Sequence, residues 1–226
     1  MKNPFSELNK KEWTIFLGSL ISVVAANFIG DFNVLNLISS ILGVTFLIFV
    51  AKGSVWGQIF TLAFAVFYVI KSYVFKYYGE VLISFLMMIP LAVFSIVTWY
   101  RNPYKKGENV VRICRISFKE ICFSVLCACA VTVAFYFILK ALGTANLIVS
   151  TISVFTSFLA SYLMLRRNSF YAVMFMLNDL VLIVLWGMSC AVDIANVSIV
   201  VCFFIFLIND TYGFIRWKMR EKEQNA

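Results

Sequence analysis

The sequence predicts an all-α integral membrane protein with eight transmembrane helices. Of its 226 residues, 62% are hydrophobic and only 13% charged, against roughly 25% charged in soluble domains. The chain divides into eight apolar runs, each close to the roughly 20 residues that cross a bilayer. Nearly all the joints between runs are short and hold Gly, Asn, Asp or Lys. The net charge is +8. The basic residues flank the runs and form no single face, so anchoring at anionic lipid accounts for them and nucleic acid is not a partner.

Met1–Glu12 is short and mixed in charge, with Phe5 and Leu8 giving it an amphipathic face for the membrane surface. Trp13–Ile29 is the first span. Val24-Ala25-Ala26 resembles a cleavage site, yet seven further apolar runs follow, so an uncleaved helix is expected. Gly30–Asn33 reads as a tight turn. The next spans are Val34–Ala51, Val55–Tyr73 and Val81–Tyr100, the last holding Pro90 as an expected kink. Arg101–Ser117 is a basic loop, broken at Asn102-Pro103. Then come Phe118–Leu142, Ala145–Leu165, Phe170–Cys190 and Ile194–Trp217. With eight spans, 16 of the 19 Lys and Arg fall on one side, and only Lys71, Lys76 and Lys140 on the other. Both termini are therefore expected in the cytoplasm.

The chain repeats itself. Asn36-Leu37-Ile38-Ser39-Ser40-Ile41 resembles Asn146-Leu147-Ile148-Val149-Ser150-Thr151, Lys52-Gly53-Ser54 answers Arg166-Arg167-Asn168-Ser169, and Trp99 answers Trp217. Three spans end on the opposite side from their start, so a linker helix, Phe118–Leu142, makes the two units parallel. The expected units are 1–33 (N-terminal segment and extra helix), 34–100 (first repeat), 101–142 (loop and linker helix) and 143–226 (second repeat and basic tail). Parallel repeats of this kind place a substrate site near mid-membrane between the halves.

Each of the last two spans carries an Asn–Asp pair inside its apolar run, Asn178-Asp179 and Asn209-Asp210. Carboxyls in hydrocarbon are costly and face a bundle interior or a cavity. Asn178 sits about 100° round the helix from Asp179, so this pair can split between a cavity and a neighbouring helix. Asp210 is read as a partner for Arg216. Trp186 shares a face with Asp179, and Tyr212 follows the second pair. In the first repeat, Gln58, Thr61, Ala65, Tyr68 and Ser72 fall on one face. Trp56 and Trp217, at helix ends, are read as interfacial residues. There is no histidine, so the commonest metal ligand and neutral-pH base are missing. The six cysteines, Cys114, Cys122, Cys127, Cys129, Cys190 and Cys202, form no C-x-x-C and are read as small apolar residues. No cofactor is expected. An enzyme would have only Asp179 and Asp210 to work with.

The arrangement of three, one and three helices, Asn178 and Asn209 in the last two spans, and Trp99-Tyr100 ending the fourth resemble the PnuC family of bacterial nicotinamide riboside transporters. The resemblance covers about Val34 to Trp217 and leaves out the first helix. It departs where the family often reads Gly-Trp-Tyr-x-Trp: here Val97-Thr98-Trp99-Tyr100-Arg101-Asn102 lacks the Gly and the second Trp. The resemblance implies a SWEET-like fold in the bacterial inner membrane. It also implies uptake of nicotinamide riboside, an NAD precursor, by facilitated diffusion, with a cytoplasmic kinase trapping the substrate by phosphorylation. The candidate substrate residues are Asn178, Asn209, Trp186, Asp179, Tyr212, Gln58, Thr61, Tyr68 and Trp99. Another vitamin or nucleoside (thiamine, riboflavin, a deoxynucleoside), a non-transporting membrane subunit and a homo-oligomer remain open at this point.

Overall fold

A computed structural model describes residues 3–28, 34–74, 78–105, 107–144, 146–190 and 197–225. The expected turn at Gly30–Asn33 lies outside them. A 3-10 turn, Pro4–Glu7, leads into α1 (Lys10–Ala26), α2 (Val34–Ala51), α3 (Val55–Val74), α4 (Tyr78–Ile83), α5 (Ile89–Arg101), α6 (Phe118–Ala141), α7 (Leu147–Leu165), α8 (Tyr171–Cys190) and α9 (Val197–Asn225). Five helical stretches among the described residues are long and apolar enough to cross a membrane: Val81–Arg101, Phe118–Ala141, Leu147–Leu165, Tyr171–Cys190 and Ile199–Gln224. Leu37–Ala51 and Val55–Ile70 are apolar but shorter. The protein is an all-helical, multi-pass membrane protein.

Local chemistry sets the helix ends. Asn9 and Glu12 form a capping box at α1, each side chain bonding the other's backbone N–H at 2.9 Å. Pro90 has no N–H, and its ring opposes the carbonyl four residues back. The chain answers with a π turn over Ser84–Met88, in which the Ile89 N–H reaches the Ser84 carbonyl five residues back. α4, the π turn and α5 thus run on as one interrupted helix. The N-terminal segment does not float on the surface. Phe5 packs against Trp13, Phe16, Phe49 and Phe60, and Leu8 is buried among the same side chains.

α2 packs on α3, α3 on α5, α7 on α8 and α8 on α9. Between these groups α2 meets α9 and α5 meets α7, so the first helix of each group packs on the last of the other. α6 packs on α7, and α1 lies across α2 and α9. Two turns are built alike. Gly53 (φ 69°) and Arg167 (φ 57°) are both left-handed. Ser54 N–H bonds Phe49 O and Asn168 N–H bonds Leu163 O, both at 2.9 Å. The basic loop threads between them, Val111 N–H bonding Gly53 O and Cys114 N–H bonding Arg167 O. This register pairs Asn36 with Ser150, four residues from the Asn146 expected from side-chain identity. Apolar helices tolerate a one-turn slip in sequence, whereas the turn hydrogen bonds do not.

Two tryptophans close the centre. Trp99 Nε1 donates to Met164 O at 2.9 Å, and Trp217 Nε1 donates to Val50 O at 3.0 Å. Val50 and Met164 occupy the same place in the two turns. Both tryptophans are fully buried, with ring centroids 5.5 Å apart. Trp217 is therefore a core residue and not the interfacial one expected. A buried indole N–H needs an acceptor, and each half supplies it to the other.

Candidate functional site

The polar residues of α8 and α9 lie on interior faces, and each Asn–Asp pair splits in the same way. Asn178, Asp179, Asn209 and Asp210 are all buried. The Asn178 Oδ1 turns to α7 and accepts from Thr156 and Ser157, both at 2.9 Å. The Asn209 Nδ2 turns to α1 and donates to Ser19 Oγ at 3.0 Å, as well as to Ile205 O at 2.9 Å. The two aspartates turn toward each other, and their carboxyls meet across the α8–α9 contact.

No basic side chain forms an ion pair with either aspartate among the described residues. The expected Asp210–Arg216 pair is absent. Arg216 lies six residues on, well round the helix from Asp210, and its Nη2 stands 3.8 Å from Glu12 instead. Two carboxylates in contact in a dry interior repel, so the pair is held only with a proton or a cation beside it. Several hydrogen-bonding capacities of these four residues are unused. The Asp179 Oδ2 and the Asn209 Oδ1 are buried without a hydrogen-bond partner among the described residues. Neither amide hydrogen of Asn178 has one there either.

The other expected residues divide. Gln58 on α3 is fully buried, and both its amide atoms lack partners among the described residues. Thr61 is buried, but its hydroxyl bonds the Gly57 carbonyl of its own helix at 2.8 Å. Tyr68 is half-buried and stacks on Phe64, and the Ser72 side chain lies outside the described residues. Trp186 is half-buried on α8, with no ring partner among the described residues. Tyr212 faces Glu12. Trp99 has its ring against Trp217 and its N–H on Met164, so it joins the halves. Among the described residues no hydrogen bond joins Gln58 to the aspartate pair.

Sequence reading passed over α1. Glu12 is fully buried, bonds Lys52 Nζ at 2.8 Å and approaches Arg216. Ser19, two turns further on, reaches Asn209. The signal was present in the chain as Asn9-x-x-Glu12 before an apolar run, but a capping box does not say which other groups the carboxylate meets.

Comparison with known proteins gives these features a setting. The crystal structure of the vitamin B3 transporter PnuC has the same fold: the TM-score is 0.80 over 96% of this chain and 94% of that one, at 20% sequence identity. A nicotinamide riboside transporter PnuC of Neisseria mucosa is 23% identical over 194 residues, which is 84% of this chain and 73% of that protein. The PnuC resemblance read from Asn178, Asn209 and Trp99-Tyr100 is thereby supported on independent grounds. Residues 33–219, from the start of α2 through Trp217, match the family described as nicotinamide mononucleotide transporter, and the chain belongs to that family.

Proposed function

We propose that this protein carries nicotinamide riboside into the bacterial cytoplasm by facilitated diffusion, and that a cytoplasmic kinase traps the substrate by phosphorylation. The observation that carries the reading is the buried Asp179–Asp210 pair, which has no basic partner among the described residues. Nicotinamide riboside is a pyridinium cation with a carboxamide and a ribose. The acidic pair offers the opposing charge. The amide hydrogens of Asn178 and the Oδ1 of Asn209 complement the carboxamide and the hydroxyls, and Trp186 offers a ring face worth roughly 0.5–2 kcal/mol to a cation. Gln58 supplies the first-repeat contribution.

The proposed architecture is eight spans with both termini in the cytoplasm. The units are the extra helix within 1–33, a first repeat over 34–100, a loop and linker over 101–142 and a second repeat over 143–226. The matched turns and the reciprocal Trp99 and Trp217 bonds support a parallel repeat. The acidic pair also favours a second reading, thiamine, which is likewise cationic; riboflavin and nucleosides are neutral. Purified protein in liposomes separates these. Nicotinamide riboside should equilibrate across the bilayer without concentrating, and should be displaced weakly by neutral nucleosides. Accumulation that follows an imposed proton or sodium gradient would rule out facilitated diffusion, and preferential uptake of thiamine would select the second reading.

A further inference from the structure

Away from the aspartates, where the basic loop meets the C-terminal end of α9, lies a half-open cavity of about 400 Å³ in which Arg112 and Arg115 are exposed. Arg112, Arg115 and Arg167 line it, with Glu221, Gln224 and Asn102. Its one carboxylate is already engaged. Glu221 takes Lys218 at 2.8 Å and the Ser169 hydroxyl at 2.9 Å on one oxygen, and Arg115 only loosely, at 3.6 Å, on the other. Arg112 makes no ion pair among the described residues. The Arg167 Nε is buried without a hydrogen-bond partner there.

The backbone at Arg167 is the second, independent sign. Its φ of 57° is a left-handed conformation that glycine adopts at little cost and a residue with a Cβ does not. The matching turn of the first half uses Gly53 at φ 69°. There a guanidinium also arrives, but from Arg220, which bonds the Lys52 carbonyl over the space that a Cβ would fill. In the second half the turn residue itself carries the guanidinium. Burial lowers the proton affinity of Arg167, and the charges of Arg166 and Arg112 lower it further. The guanidiniums of Arg112, Arg166 and Arg167 thus stand close enough to act on one another.

We propose that this cavity is a phosphate site, taking either a phosphate monoester or the phosphate of an anionic lipid headgroup on Arg112, Arg115 and Arg167. Guanidinium forks match phosphate oxygens in pairs, and 400 Å³ holds such a group. A phosphorylated form of the cargo is one source and the surrounding bilayer the other. The first source rests on the proposed function; the phosphate chemistry does not.

The test uses the full chain in neutral detergent. Binding of inorganic phosphate, nicotinamide mononucleotide and nicotinamide riboside is measured for the parent and for Arg167→Gly. That change installs the residue found at the matching turn and relieves its backbone. Melting in phosphatidylcholine vesicles with and without phosphatidic acid is measured alongside. A phosphate-monoester site predicts that Arg167→Gly weakens both phosphate probes by about tenfold or more and leaves the riboside unchanged. A headgroup site predicts that phosphatidic acid raises the melting temperature of the parent and not of the variant. If no phosphate probe acts on the parent, or if Arg167→Gly responds to all of them as the parent does, the proposal fails. Failure of riboside binding alone strikes the transport reading and leaves the phosphate result intact.

Discussion

Asp179 and Asp210 are costly residues to bury, and the structure gives them each other and no cation among the described residues. Asn178 and Asn209 are held by hydroxyls on neighbouring helices, which fixes the direction of their remaining donors and acceptors. Asn178→Leu and Asn209→Leu should therefore each weaken nicotinamide riboside binding by roughly 1–3 kcal/mol, or about tenfold to a hundredfold. The Asn178 change should leave the fold in place, because the Thr156 hydroxyl can turn to the Ile152 or Ser153 carbonyl instead. Calorimetric titration of the two variants checks this, and unchanged affinity in both would move the site elsewhere. Residue type and the 100° step made the split of Asn178 and Asp179 legible in the sequence, whereas Asp210 was read as a partner for Arg216, which meets Glu12 instead. The hydroxyl partners were not legible. Serine and threonine in apolar helices commonly bond their own helix, as Thr45 and Thr151 do, so nothing in the sequence marks out Ser19, Thr156 and Ser157 as reaching a second helix.

Helix boundaries were the easiest elements to read, since apolar runs end where caps and turns begin. α2 runs over Val34–Ala51 as expected, and α7 stops at Leu165 as expected. α1 was read as an addition outside the shared core, and the family match begins after it, at residue 33. It is nonetheless tied to the rest of the bundle through Glu12 and Ser19. Spacing along one helix carries no information on which other helix it crosses. Glu12→Ala leaves Lys52 buried without its carboxylate and should cost roughly 3–5 kcal/mol, visible as a large drop in melting temperature in detergent. A variant that melts like the parent would mean that α1 is loosely held. Trp13 packs in the same cluster as Phe16 and Phe49. The α2–α3 approach is tighter still: a Cβ on Gly57 would stand 2.5 Å from the Val50 backbone nitrogen. Gly57→Ala should cost about 1–3 kcal/mol through this overlap, measured by the same melt.

At the scale of the whole molecule, the two halves are joined symmetrically and differ in what they carry. Trp99→Phe and Trp217→Phe should destabilise by similar amounts, about 1 kcal/mol for the lost hydrogen bond in each. A large difference between their melting temperatures would show the junction to be one-sided. The likeness of the two turns was legible from Lys52-Gly53-Ser54 and Arg166–Ser169, and that of the two tryptophans from Trp99 and Trp217, because turns and buried indoles demand particular residues. The register along the helices was not, because lipid-facing and packing positions accept any apolar side chain. The acidic pair lies only in the second half, so the central claim is that cargo charge is read there. The measurement is binding of nicotinamide riboside and of its neutral, reduced form to the parent and to Asp179→Asn. The parent should prefer the cation. The variant should lose about tenfold or more in affinity for it while holding the neutral form nearly as before. Equal binding of the cation by both proteins would contradict the assignment of the aspartate pair to the cargo.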